Sequence, residues 1–417
     1  MERRVCGVQG VARMDVGPKS TEMPAALASL STLFWMFFKI ACTSFGGYMA
    51  MISVVEREVV ARRRLMRHED MLDGISLASI LPGPVAVNLV VYVGYRLRGG
   101  AGALVSALGA VLPSFGFILI LSVAYFQWGQ VPAVNKLFMG FIPAVTALIV
   151  STAWNMGRKA VSGWREGVLT CAAAVALLGI GGFYSTLGII LIAGLAGWWW
   201  FRAANPPAGA VTDKAAKPQS LQLSTRTSLL LVQPWTLAVP FLTIDPGLML
   251  KLFLVFASMS VMLFGGGYVF IPMIQEIVVN GHGWVTTQEF IDAIAMGQIT
   301  PGPILVSAAF IGLKVAGFTG AVVATVGIYL PPALLMVAST RALEFIKKSQ
   351  AIRAALRGIR PAVVGMIAAA AFTVGGTAPH HWVSLLIFVA ALVALMRLRV
   401  QVVWVIPAAG LTGLLLF

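Results

Sequence analysis

The chain states one pattern twice, and that repetition constrains its fold more than any other feature. Gly46-Gly47-Tyr48 returns as Gly266-Gly267-Tyr268, and a glutamate follows each tyrosine by eight residues, Glu56 and Glu276. Pro82-Gly83-Pro84 returns as Pro301-Gly302-Pro303. Gly99, Gly102, Gly109 and Pro113 are answered by Gly317, Gly320, Gly327 and Pro331, and Gly140 and Pro143 by Gly358 and Pro361. Gly194-Leu195 with Gly197 comes back as Gly410-Leu411 with Gly413. A register held this long marks an internal duplication.

The repeated unit is apolar. The 417 residues are 59% hydrophobic and 11% charged, with a mean hydropathy of +0.90. A soluble domain carries about a quarter charged residues, so most of this surface faces lipid. The apolar runs approach the roughly 20 residues that a membrane-crossing helix needs. They lack the alternation of barrel strands, and in lipid a helix satisfies its own backbone. Two apolar halves of this kind are the usual build of secondary transporters, with the site between the repeats. The formal charge of +15 fits positive loops against anionic headgroups. Its Lys and Arg residues are scattered between apolar segments, which argues against nucleic-acid binding. Cys6, Cys42 and Cys171 are too far apart to suggest a disulfide framework or a metal spacing.

Residues 1–30 read as an N-terminal tail, 31–202 as the first repeat, 203–248 as a linker and 249–417 as the second repeat. Apolar segments fall near 31–55, 74–96, 101–126, 137–157, 167–182 and 185–201. In the second repeat they fall near 249–277, 291–313, 318–342, 356–374, 382–396 and 400–417. Within the linker, 229–244 is apolar but short and contains two prolines, so it reads as an extra span or an interfacial segment. Basic residues follow the third and fifth segments of the second repeat, but the even segments of the first. The positive-inside rule then orients the halves oppositely. Arg57, Arg62, Arg63, Arg64 and Arg67 oppose this scheme unless the first segment is re-entrant at Gly46-Gly47.

Two features break these helices. Glycine permits backbone geometry other residues resist, so Gly46-Gly47 and Gly265-Gly266-Gly267 read as mid-membrane breaks. Close helix packing is the plainer reading, since small residues line membrane helix contacts. The Pro-Gly-Pro triplets, about eight residues into their spans, should interrupt rather than bend them. Their freed backbone groups need partners or a wet cavity, which Ser79, Asn88, Gln298, Thr300 and Ser307 are placed to line. The free N–H groups of a half-helix attract anions.

Several charges repeat as well. Asp73 and Asp292 are equivalent, and read either as helix N-caps or as carboxylates that load and release a proton. Glu56 and Glu276 read as solvated helix ends, with coupling as the sharper alternative. Arg96 and Lys314 are equivalent cations that snorkel to headgroups or draw an anion into opposed vestibules. Lys39 lies inside an apolar run with no counterpart in the second half. No phosphate-binding loop and no His or Cys metal spacing occurs, so neither an enzyme nor a cofactor is expected.

The order FGGY, EREVVARRRL and LPGP in the first half, with FGGGY and TPGP in the second, resembles the chromate ion transporter family in its long, two-domain form. The likeness runs over nearly the whole chain from about residue 31. The family's motifs map onto Phe45, Gly46, Gly47, Arg57, Glu58, Arg62, Arg63, Arg64, Asp73, Pro82, Gly83 and Pro84. In the second half they map onto Gly265, Gly266, Gly267, Asp292, Gln298, Pro301, Gly302 and Pro303. Tyr48 replaces a frequent proline, Ser79 and Asn88 replace frequent glutamines, and Ser307 replaces a frequent asparagine. The resemblance implies export of chromate, with exchange for sulfate or coupling to protons.

The expectation is therefore an all-α polytopic protein of the cytoplasmic membrane, with two homologous repeats of about six helices in inverted topology. Its substrate would be chromate or a related oxyanion, moved by alternating access and conferring chromate resistance. The substrate cavity is expected at Gly46, Gly47, Pro82–Pro84, Asn88, Gly265–Gly267, Gln298, Thr300, Pro301–Pro303 and Ser307. A proton or sulfate is the candidate counter-ion, and an oligomer is compatible with the sequence. A transporter of another oxyanion such as sulfate, an anion channel and a non-transporting scaffold are the competing readings.

Overall fold

The computed structural model describes residues 28–44, 48–128, 131–180, 182–201, 245–264, 270–342, 349–376, 378 and 381–416. The linker segment 229–244 and both glycine clusters, Gly46-Gly47 and Gly265–Gly267, lie outside the described residues.

Every described element is helical, and the two repeats give the same series of seven. The first half contains α1 (Leu30–Thr43), α2 (Tyr48–Glu56) with a π-helical turn (Arg57–Arg62), α3 (His68–Ile80) and α4 (Val85–Trp128). It continues through α5 (Pro132–Ala160), α6 (Trp164–Gly179) and α7 (Gly182–Phe201). The second half contains α8 (Pro246–Val261), α9 (Phe270–Met273) with a π-helical segment (Ile274–Gly281), α10 (Thr287–Ile299) and α11 (Ser307–Arg341). It closes with α12 (Gln350–Gly375), α13 (Trp382–Met396) and α14 (Val402–Leu416).

Among the described residues, four helical segments are long and apolar enough to cross a bilayer, the continuous α5 and α12 and the broken α4 and α11, with their immediate flanks. The segments read as spans near 31–55, 74–96, 249–277 and 291–313 are each two shorter helices. The Pro-Gly-Pro triplets make two of these breaks, as their chemistry requires. Thirteen residues of α3 reach about 20 Å, short of a hydrocarbon core of about 30 Å.

A second break falls where the sequence parts its apolar segments, between 96 and 101 and between 313 and 318. Within α4 the backbone leaves the helical region at Arg98 and Gly99, and within α11 at the equivalent Ala316 and Gly317, with φ of 61° and 63° at the glycines. A Cβ on Gly94 would lie 2.4 Å from the Gly102 carbonyl oxygen, and one on Gly312 would lie 2.2 Å from that of Gly320. Eight residues along a straight helix span about 12 Å. The chain therefore folds back on itself, and Val85–Leu97 and Ser307–Val315 are short arms packed against the longer helices that follow.

The halves are interlocked. α1 packs on α4 and α8 on α11 within each half, but α6 and α7 lie against α12, while α13 and α14 lie against α5. Gly197 meets the backbone of Gly358, and Gly413 meets that of Gly140. These four are repeat counterparts, so one contact is made twice. At the centre α5 meets α12, with Gly157 against Val364 and Thr146 against Gly375. As one helix advances the other retreats, so these equivalent helices run antiparallel. The outer faces are apolar and open, for example at Ile120, Val175, Phe372 and Leu415, as a lipid-facing surface requires.

Candidate functional site

The two Pro-Gly-Pro breaks are built alike and face each other's half. Gly83 and Gly302 adopt φ of 103° and 111°, a region that only glycine enters without strain. The Gly83 amide donates to the Leu263 carbonyl at 2.8 Å, and the Gly302 amide to the Ser44 carbonyl at 3.3 Å. Leu263 and Ser44 are themselves repeat counterparts, each at the end of its half's first helix and just ahead of a glycine cluster. Each break therefore hangs on the opposite repeat. Packing follows the same rule. A Cβ on Gly83 would strike Pro332 of α11, and one on Gly302 would strike Ser114 of α4. The Ser114 hydroxyl donates to the Pro301 carbonyl at 2.5 Å.

These bonds change the expected donor set. The Gly83 and Gly302 amides are engaged, and prolines have none. The polar side chains at the breaks mostly serve the backbone. Asn88 donates to the Pro82 carbonyl at 3.0 Å, Thr300 to Gly297 at 2.9 Å, and Ser307 to Ala293 and Ile304 at 2.9 Å each. All three are buried, and they answer carbonyls that the breaks set free. Ser79 is exposed and donates to Ile75. Gln298 differs. Its Nε2 is buried with no hydrogen-bond partner among the described residues, one turn before Pro301. The first-turn amides of α4, Val85 to Val87, also lack intrahelical acceptors by geometry.

Asp292 sits beside this region on α10 and is 1% exposed. It accepts from the Tyr125 hydroxyl at 2.8 Å and the Gln288 amide at 3.0 Å. The N-cap reading fails for it: Thr286 caps α10 in a capping box with Glu289. Asp73 lies inside α3, whose N-cap is Arg67, and is half-buried. The repeat equivalents thus differ, one sealed and one partly wet.

The other charges also find partners. Arg96 pairs with Asp70 at 3.1 Å, and Lys314 pairs with Glu289. Asp70 and Glu289 are again counterparts, so in each half a cation ending one short arm ties down the start of the helix before it. Neither cation is the open anion attractor that the sequence allowed. Glu56 pairs with His68 at 3.2 Å. Glu276 is 9% exposed rather than solvated, because the π-helical segment turns it inward. Lys39 is exposed, beside Arg63 in a shallow pocket away from the breaks. Sequence reading missed the pair of Glu166, 2% exposed, with Arg357 at 3.1 Å, which joins α6 to α12. Glu166 opens a helix near a predicted loop, and nothing local shows that a helix of the other repeat covers it. Among the described residues, no group of three or more His, Cys, Asp or Glu side chains gathers as a metal site.

The duplicated, lipid-facing architecture meets its relatives here. The sequence profile described as chromate transporter matches residues 31–198 and again 250–414. The chain belongs to the chromate transporter family. A probable chromate transport protein of Synechococcus elongatus is 30% identical over 89% of this chain and 91% of its own length. The chromate transport protein of Pseudomonas aeruginosa is 30% identical over 95% of both chains. An uncharacterized transporter of Bacillus subtilis, YwrB, is 31% identical over 90% of its own length but only 43% of this chain, so the repeat also occurs as a separate half-length protein. No solved structure matches the chain. Family membership makes this a multi-pass membrane protein of chromate transport, with the all-helical fold that its sequence predicts.

Proposed function

We propose that the protein is a secondary active transporter that moves chromate out across the cytoplasmic membrane by alternating access, and so confers chromate resistance. The observation that carries this reading is the reciprocal pair of breaks. Each is held by the opposite repeat, and α10, which leads into one of them, carries the buried Asp292 and Gln298, whose Nε2 has no partner among the described residues. A tetrahedral dianion needs donors in a desolvated place. Gln298, the first-turn amides of α4 and the glycine clusters are the donors this reading assigns. Asn88, Thr300 and Ser307 keep the broken ends satisfied and hold the cavity open.

The antiparallel pairing of α5 with α12 supports inverted repeats, since equivalent helices that run opposite ways are related by an axis across them. Asp292 is the coupling residue in this scheme, able to exchange a proton as the cavity changes sides.

Chromate and sulfate share charge and shape, so a site of amide donors separates them weakly and sulfate competes. The test is chromate flux into proteoliposomes with an imposed pH gradient, with trapped sulfate, and with external sulfate. Flux driven by the pH gradient supports proton coupling through Asp292, whereas acceleration by trapped sulfate supports exchange. Chromate flux untouched by a large sulfate excess contradicts the donor set, and no flux in sealed vesicles contradicts the transport reading.

A further inference from the structure

One cavity lies apart from the Pro-Gly-Pro breaks. Its volume is about 250 Å³, between the end of α6, the π-helical segment of the second half and α12. Four polar side chains line it: Gln275, Glu276, Asn280 and Thr373. Gln275 is 4% exposed, and its Oε1 has no hydrogen-bond partner among the described residues. Glu276 accepts from the Asn280 amide at 3.3 Å. Thr373 donates to the Ala369 carbonyl at 3.2 Å, which leaves its oxygen as an acceptor. Among the described residues, no lysine or arginine lines the cavity.

The electrostatics favour a cation. Three helical segments end here, α6 at Gly179, the π-helical segment at Gly281 and α12 at Gly375. Each C-terminus carries a partial negative charge. A carboxylate adds a full one. The oxygens on offer, from a carboxylate, an amide carbonyl and a hydroxyl, are hard ligands. A lone buried amide oxygen without a donor is costly, and a bound cation removes that cost. Glu276 is the single carboxylate among the described residues that line the cavity, which suits a monovalent ion better than a divalent one.

We propose that this cavity binds a small monovalent cation, with Na⁺ as the probe, through the Glu276 carboxylate and the Gln275 carbonyl. The first half has no such site, because the position of Gln275 is taken there by Val55, and Glu56 is turned to His68. The cavity is therefore one-sided in a duplicated protein. Its use as a coupling-ion site rests on the transport reading above; the binding itself does not.

The test uses the full chain purified in detergent. Its thermal unfolding midpoint is followed in NaCl, KCl and choline chloride at equal ionic strength, with isotopic Na⁺ binding measured by equilibrium dialysis. Na⁺ should raise the midpoint saturably, more than K⁺, while choline has no effect. Gln275→Ala should weaken the response by about tenfold or more, by analogy with losses at cation sites, and Glu276→Gln should abolish it. Glu56→Gln, the repeat counterpart, should leave it intact. Equal midpoints in NaCl and choline with no bound isotope overturn the proposal, as does a Na⁺ response that survives both cavity substitutions. If Glu276→Gln does not fold, Gln275→Ala and the dialysis decide. Chromate flux after reconstituting the same preparation into proteoliposomes separates the two ideas. Flux without a Na⁺ response sinks only the cation site, and a Na⁺ response without flux sinks only the transport reading.

Discussion

The phenol of Tyr125, near the end of α4, donates to the carboxylate of Asp292 on α10 at 2.8 Å. The buried acid of the second repeat is thus held by a hydroxyl of the first. Asp292→Asn keeps the shape and removes the exchangeable charge. It should leave expression and melting close to the parent, reduce pH-driven chromate flux by an order of magnitude or more, and spare sulfate-driven exchange. Equal flux in both modes would remove Asp292 from coupling. Asp73→Asn, at the wetter counterpart, should do less.

Tyr125→Phe deletes one of the two donors to that carboxylate among the described residues. An under-satisfied buried acceptor costs about 1–3 kcal/mol, so the melting temperature should fall. Tyr125→Phe combined with Asp292→Asn should be less than additive, because the two positions share one hydrogen bond. A double-mutant cycle by thermal unfolding checks this.

Gly83→Ala and Gly302→Ala each place a Cβ at a positive φ and into a neighbour, Pro332 at 2.3 Å or the Ser114 hydroxyl at 2.0 Å. Backbone strain and overpacking each cost about 1–3 kcal/mol. Both variants should lose folded yield in size-exclusion profiles. Adding Ser114→Ala should relieve Gly302→Ala in part, by removing the hydroxyl while leaving the strained φ. The same addition should do nothing for Gly83→Ala.

Arg357 reaches across the repeats to Glu166 and stacks on Phe201 with its guanidinium carbon 4.4 Å from the ring centre. Arg357→Ala leaves a buried carboxylate without its cation, a loss of about 3 kcal/mol after allowing for the partial exposure of the arginine. Glu166→Gln should cost less. By contrast, Lys314→Gln removes a partly exposed pair and should change stability by less than about 1 kcal/mol. Melting temperatures of the three variants test this order.

The duplication, the helical class and the Pro-Gly-Pro breaks were legible because each is written in local spacing. Residues at a constant offset announce equivalence, and prolines announce where a helix must stop. The partners were not legible. Nothing near Gly83 says that its amide will meet Leu263, or near Glu166 that Arg357 will cover it, because these contacts bridge about 180 to 190 positions. The Gly99 and Gly317 hairpins were hidden for another reason. The apolar run falters there as it would at any loop, and only the closeness of Gly94 to Gly102 shows the chain turning back. The pairs of Arg96 with Asp70 and of Lys314 with Glu289 were not legible, because each acid sits on another helix.

The exchange of α6 and α7 for α13 and α14 between the repeats sets an order of events during synthesis. When the first repeat has left the ribosome, Glu166 has no cation, and the faces of α5 and α7 that will receive α14 and α12 touch only lipid. Nothing made up to that point completes them. In the first repeat α1 and α3 already pack on α4, but α5, α6 and α7 wait for their partners until α12 arrives, and α5 waits longer, until the last residues of the chain are threaded. A ribosome that stops early therefore leaves no half-sized folded product, and quality control meets the chain in that open interval.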